Sequence, residues 1–229
     1  MTVEAGIGTL NEGSLHAALK ERYAEPGDEF EVPLDGFVID IARGSSLIEI
    51  QTGSFAAVGR KLDRLLDDHQ ILLVYPVAAG TWLERPGVKR RKSPKRGSVY
   101  SVFDELVSVP TLLDHPGLSL EVVLVHVTKH QIHDPRARRG RGGYRTVDRV
   151  LDEVVEVHRF DSVADLCGLL PDNLPPDFTT ADLAEQAGIS RDAAQKMAYC
   201  FRPLGVFEAT GRTRAGVTHR LSVTAFSGE

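Results

Sequence analysis

Apolar residues recur at helical spacing in GSLHAALKERYAEPGD, at Leu15, Ala18, Leu19 and Tyr23, and Pro26-Gly27 ends the run. The first predicted element is therefore a helix. EFEVPLDGFVIDIARGSSLIEIQTG then changes to period-two alternation around a Gly/Ser turn, the pattern of two or three consecutive antiparallel strands. FAAVGRKLDRLLDD returns to helical period, with Val58, Leu62 and Leu65 on one stripe, and QILLVYPV is a continuous apolar run, as in a strand covered on both faces. This order predicts an α/β fold with a mixed central sheet flanked by helices. Beyond Gly80 the pattern predicts a basic loop, a helix at SVYSVFDELVSV, a strand at LSLEVVLVHVTKH, a second basic loop and a strand at VDRVLDEVVEVHRF. These elements either extend the sheet or form a small subdomain. DNLPPDF reads as a linker, because Pro175-Pro176 resists helix and cannot join a ladder.

After the linker the period is helical again. Thr179 or Thr180 caps a helix through Leu183 and Ala187, and Gly188 makes a turn. Ser190 caps a second helix carrying Ala193, Ala194, Met197 and Phe201, and an alternating hairpin follows. The chain thus divides at about residue 160, into a larger unit over 1–160 and a smaller one over 161–229.

Composition narrows the function classes. Of the 229 residues 42% are hydrophobic and 26% charged, which suits a folded domain rather than a disordered chain. The N-terminus has no basic stretch followed by an apolar block. The longest apolar run, ILLVYPVAAG, falls short of the roughly 20 residues that cross a bilayer, so a cytoplasmic location is expected. Cys167 and Cys200 lack a CxxC partner or a nearby His pair and read as buried thiols. His126, His130 and His133 have no acid or cysteine at zinc-site spacing and read as strand and loop histidines. No Gly-rich phosphate loop or G-x-S-x-G elbow appears.

The net charge of -5 hides two basic clusters. Residues 85–97 hold Arg85, Lys89, Arg90, Arg91, Lys92, Lys95 and Arg96, and residues 135–145 hold Arg136, Arg138, Arg139, Arg141 and Arg145. Pro and Gly in both favour mobile loops that either track a phosphate backbone or form solvated surface.

The strand pair FVIDI and LIEIQ carries the most chemistry. If RGSS closes a hairpin, Ala42 pairs with Leu47, Ile41 with Ile48, and Asp40 falls opposite Glu49. Two carboxylates with Cβ atoms roughly 4.5–5.5 Å apart repel, and a divalent cation shared between them would offset the repulsion.

A helix, a strand with Asp, a hairpin, a strand with E-x-K or a variant, a helix and a further strand resembles the core of the PD-(D/E)XK, restriction-endonuclease-like nucleases. The matching residues are Asp40 and the EIQ of Glu49, Ile50 and Gln51. No Pro precedes Asp40, and Gln51 stands where the motif has lysine, although some restriction enzymes of the superfamily carry E-x-Q. The resemblance implies phosphodiester hydrolysis with Mg²⁺ or Mn²⁺ held by Asp40, Glu49 and the Ile50 carbonyl, and with Gln51 orienting the attacking water. It also implies a displaced lysine, Lys61 with Arg60 as its rival, and a further acid in the first helix, Glu12 rather than Glu21.

The last segment, with SVADLCGLL as its preceding helix, resembles a winged helix-turn-helix domain. That family implies groove contacts from Arg191, Gln195 and Lys196 and wing contacts from Arg212, Arg214 and Arg220. Tyr199 reads equally as core or as base-stacking. The expected partner is duplex or branched DNA, bound by the winged helix and by Lys89, Arg90, Arg91 and Lys92, with the protein alone or as a homodimer. Repair, recombination and defence against foreign DNA are all open. The competing readings are a non-catalytic DNA-binding regulator built on a degenerate nuclease-like domain, and a protein-binding adaptor.

Overall fold

The computed structural model describes residues 13–137, 143–214 and 216–222. Helix α1 (Ser14–Tyr23) leads into a meander of β1 (Glu29–Leu34), β2 (Phe37–Arg43) and β3 (Ser46–Ile50). Asp35 and Gly36 form the β1–β2 turn, both at positive φ, as a tight hairpin of this twist requires. The β2–β3 turn has only Gly44 and Ser45 at its centre, because Arg43 pairs with Ser46. The expected pairs Ala42–Leu47 and Ile41–Ile48 are both present.

A 3-10 turn and α2 (Gly59–Leu65) then cross over to β4 (Gln70–Arg85), which runs parallel to β3. Strand β5 (Val88–Lys92) folds back on β4, and a 3-10 turn, α3 (Phe103–Leu106) and a further short turn lead to β6 (Leu118–His133) and β7 (Tyr144–Phe160). The segment between β5 and β6 is more fragmented than the single helix expected there. The sheet order is β1-β2-β3-β4-β6-β7, with β5 on the edge of β4 beyond β3. The strands after Gly80 thus extend the central sheet, and the fold is mixed α/β with flanking helices.

The first basic cluster is a β-hairpin rather than a mobile loop. Trp82 pairs with Lys92, Leu83 with Arg91 and Arg85 with Val88 across Pro86-Gly87. All five β5 residues are exposed, so no buried face imposes the alternation from which a strand is read. The second cluster joins β6 to β7. Its Arg138, Arg139 and Arg141 lie outside the described residues, and Arg145 belongs to β7 and pairs with Asp134 at 3.1 Å.

Two apolar clusters cover the sheet. The smaller joins Leu15 and Leu19 of α1 to Ile41, Ile48, Ile50, Val74, Val123 and Val125. The larger packs α2 and α3 onto the other face and continues without a break into the C-terminal residues. There α4 (Val163–Cys167), β8 (Phe178–Thr179), α5 (Thr180–Ala187) and α6 (Arg191–Phe201) precede the hairpin of β9 (Phe207–Thr213) and β10 (Gly216–Leu221). These strands form a second sheet of order β8-β10-β9. Thr179 caps α5 in a capping box with Asp182, and Ser190 caps α6. Cys167 and Cys200 are buried free thiols, and burial pushes them up to about 11 and about 12 respectively. No helix among the described residues is long and apolar enough to cross a membrane.

Phe201 joins the two units, its ring 5.5 Å from Phe103 and 5.1 Å from Phe207. Phe201→Ala is expected to cost about 3–5 kcal/mol. Because the core is shared, the urea midpoint followed by emission of Trp82, in the large sheet, shifts together with that followed by far-UV circular dichroism.

Candidate functional site

Asp40 and Glu49 lie side by side at the end of the β2–β3 hairpin, with side chains only 13% and 10% exposed. The β2–β3 ladder stops at Ile41–Ile48, just short of them. Ile39 and Ile41, which strict alternation puts on one face, join different apolar clusters, so β2 departs from regular pleating at Asp40. In place of a ladder bond, Asp40 Oδ2 accepts from the Ile50 N–H at 2.8 Å. The same oxygen lies 3.2 Å from His16 Nε2 on α1.

Glu49 Oε2 accepts from Lys61 Nζ at 2.5 Å, and the same ammonium donates to the Val38 carbonyl. The charges offsetting this carboxylate pair are thus supplied by Lys61 and by the donors around Asp40. Burial raises the Asp40 carboxyl, but His16, the Ile50 amide and Lys61 outweigh it and hold the group below the ordinary range. At Glu49 burial and the Asp40 charge prevail over Lys61 and push the carboxyl up. The two acids are driven apart, Asp40 toward the anion and Glu49 toward holding a proton.

Gln51 lies next to them, but its side-chain amide donates to the Ser54 carbonyl at 2.6 Å, and its backbone N–H to Val74. Arg60 is exposed, whereas Lys61 reaches the acids; Glu12 lies outside the described residues. His16 is the site residue the sequence reading missed. Its signal is the i,i+4 pair His16 and Lys20 beside the apolar pair Leu15 and Leu19, since Lys20 likewise reaches the meander, at Glu31.

Among the described residues no group of three or more His, Cys, Asp or Glu could hold a metal. The largely buried carboxylates of Asp40 and Glu49 are nevertheless hard oxygen donors. They fit a cation such as Mg²⁺ or Mn²⁺ that takes the rest of its shell from water and phosphate. His126 pairs with Glu153 at 3.1 Å and His130 lies 4.0 Å from Glu84, as strand histidines do.

A second surface lies between α6 and the β9–β10 hairpin, a groove of about 410 Å³ lined by Arg191, Gln195, Tyr199, Arg202, Arg212 and His219 among others. Arg191, Gln195 and Arg212 converge there, and Tyr199 is 49% exposed rather than core. Arg202 is an addition. Lys196 does not join them, because it pairs with Asp104 at 2.8 Å and with Asp192 at 2.6 Å, toward α3. Arg214 is exposed, and Arg220 is paired with Asp177 at 2.8 Å. On β5, Lys89 and Arg91 are exposed, and Arg90 bonds to Thr128 and Asp152.

Residues 13–161 match the family described as a domain of unknown function, DUF8091. The chain belongs to that family. The match covers the whole large sheet and ends where α4 begins. The chain is also 36% identical over 188 residues to an uncharacterized protein of Treponema pallidum (strain Nichols), an alignment spanning 78% of this chain and 74% of the relative. No solved structure matches it.

Lys61→Ala leaves Glu49 buried beside Asp40 without its counter-charge and is expected to cost about 3–5 kcal/mol at neutral pH. A raised carboxyl binds its proton more tightly in the folded chain than in the unfolded one, so stability rises as pH falls through that window. Part of the loss in Lys61→Ala is therefore regained on acidification through the carboxylate range, read from urea midpoints of variant and wild type against pH.

Proposed function

We propose that this chain is a metal-dependent endonuclease of restriction-endonuclease-like fold that hydrolyses phosphodiester bonds in DNA, with its C-terminal unit a winged helix that holds the substrate. The observation that carries this reading is the junction of Asp40, Glu49 and Lys61 at the end of one hairpin. Supporting it is the order in which the elements meet: an antiparallel meander, a helical crossover and a parallel fourth strand. The β8-α5-α6-β9-β10 order and its small sheet support the winged-helix reading in the same way.

Asp40, Glu49 and the Ile50 carbonyl would hold Mg²⁺ or Mn²⁺. A bound divalent ion supplies Lewis-acid polarisation of the phosphate and a water acidic enough to attack. Lys61 provides the positive charge that Gln51 cannot, and it is already in contact with Glu49. His16 and the Ile50 amide keep Asp40 ionised and oriented. Gln51 retains a side-chain carbonyl able to accept a hydrogen bond from a water. In the C-terminal unit Arg191, Gln195 and Arg212 contact the duplex, Arg202 adds charge, and Tyr199 offers a stacking face.

A second reading, a non-catalytic DNA-binding regulator, is favoured by one observation: the acid pair already has partners, Lys61 at Glu49 and His16 at Asp40, and among the described residues no group of three or more His, Cys, Asp or Glu could hold a metal. Incubation with supercoiled, linear and branched DNA in Mg²⁺ or Mn²⁺ decides between them. Cleavage that falls about a hundredfold or more in Glu49→Ala and Asp40→Asn supports the nuclease; retarded migration with intact DNA supports the regulator. In either case Arg212→Ala is expected to weaken DNA binding and lower the slope of log affinity against log salt by about 1.

A further inference from the structure

The basic hairpin carries a pocket that the nuclease reading does not use. Its floor is β4 from Gly80 to Trp82, one wall is His126 of β6, and the other is the chain returning from β5, with Lys92, Ser93 and Arg96. The returning segment is pinned at both ends. Ser93 N–H donates to the Thr81 carbonyl and Gly97 N–H to the Ala78 carbonyl, each at 2.8 Å. Gly97 allows the close approach, since a Cβ there would fall 2.5 Å from Val77 Cγ1. Gly80 does the same on the floor, where a Cβ would fall 2.6 Å from His126 Cδ2. The His126 ring therefore lies directly against β4, with Glu153 at its Nδ1.

The lining is cationic and donor-rich. Lys92, Arg96, the Ser93 hydroxyl and His126 surround it, and no carboxylate of the described residues lines it. Lys92 and Arg96 form no ion pair with a described residue, whereas nearby Arg90 is committed to Asp152. The volume is about 70 Å³, room for a few waters or one small polyatomic anion and too little for a base with its sugar.

We propose that this pocket binds a phosphate group, presented as a phosphomonoester by a nucleic-acid strand end or by a free nucleotide. Arg96 and Lys92 supply charge, the Ser93 hydroxyl supplies a hydrogen bond, His126 closes the side against β4, and the pinned segment brings Arg96 to the pocket before the ligand arrives. The position suits a strand end. Val74, which receives Gln51 beside the carboxylates, and Thr81, which receives Ser93, are seven residues apart on β4, roughly 23 Å at about 3.3 Å per residue. The inference does not depend on the nuclease reading, because it concerns binding alone and is read without cleavage.

Trp82 is the single tryptophan of the chain and lines the pocket, so its emission reports occupancy. The full chain is titrated at fixed ionic strength, by emission and by calorimetry. The ligands are inorganic phosphate, a nucleoside 5′-monophosphate, and one single-stranded oligonucleotide with a 5′-phosphate or a 5′-hydroxyl. Saturable binding of phosphate and nucleotide is expected, weakened about tenfold or more in Arg96→Ala and less in Arg96→Lys, which keeps the charge. Tighter binding of the 5′-phosphorylated strand than of its 5′-hydroxyl twin assigns the site to strand ends; equal binding of the two, with saturable binding of the mononucleotide, assigns it to free phosphomonoesters. No saturable binding of phosphate or nucleotide by either method, or an Arg96→Ala affinity equal to wild type, overturns the proposal.

Discussion

Two carboxylates set side by side, Glu49 buried and Asp40 largely so, are the constraint around which the first half of the molecule is arranged. Each removal of a carboxylate from water costs several kcal/mol, and their mutual repulsion adds to that, so both must be met by donors at fixed places. Asp40 takes the amide of Ile50 and the ring of His16, and Glu49 takes Lys61. These contacts tie α1, α2 and both strands of the hairpin to one point. A buried ion pair of this kind is poor evidence for stability in itself, since well-packed apolar residues would often serve as well. Its presence where the ladder ends fits a site where charge is wanted.

The same economy shapes the outer half of the sheet. Strands β4 and β6 are buried chiefly in their first halves, and their outer ends, with the start of antiparallel β7 beside them, carry charged, polar and aromatic side chains rather than a core. Arg85 lies 3.7 Å from the centre of the Tyr144 ring, and Arg90 lies 4.7 Å from that of Trp82, so flat guanidinium groups cover aromatic faces that would otherwise be left to water. Basic side chains mounted on paired strands have less freedom than the same residues on a loop, so less entropy is lost when they meet a ligand. The charge of β5 has a structural use as well, because it blocks pairing along an exposed edge.

The C-terminal unit is not simply tethered. Phe201 packs against Phe103, and Lys196 reaches across to Asp104, so one side of α6 is committed to the larger unit. What remains open is the opposite side, where Gln195, Tyr199 and Arg202 face the β9–β10 hairpin. That division of one helix into a docked side and an open side decides which of its polar residues are available to a partner.

The order of elements as far as β4, the β2–β3 register and the nearness of Asp40 to Glu49 were legible in the sequence, because strand alternation and turn chemistry are local and a hairpin register follows from counting. The capped helices α5 and α6 were legible for the same reason. Tertiary structure alone decided that β5 is a strand, since an edge with both faces in water leaves no apolar period. It also decided that Lys61 rather than Arg60 meets the acids, that His16 joins them, and that Lys196 turns away from the groove. Such choices depend on where one element lands against another, and chain spacing encodes only the face of an element, not the neighbour that face will meet.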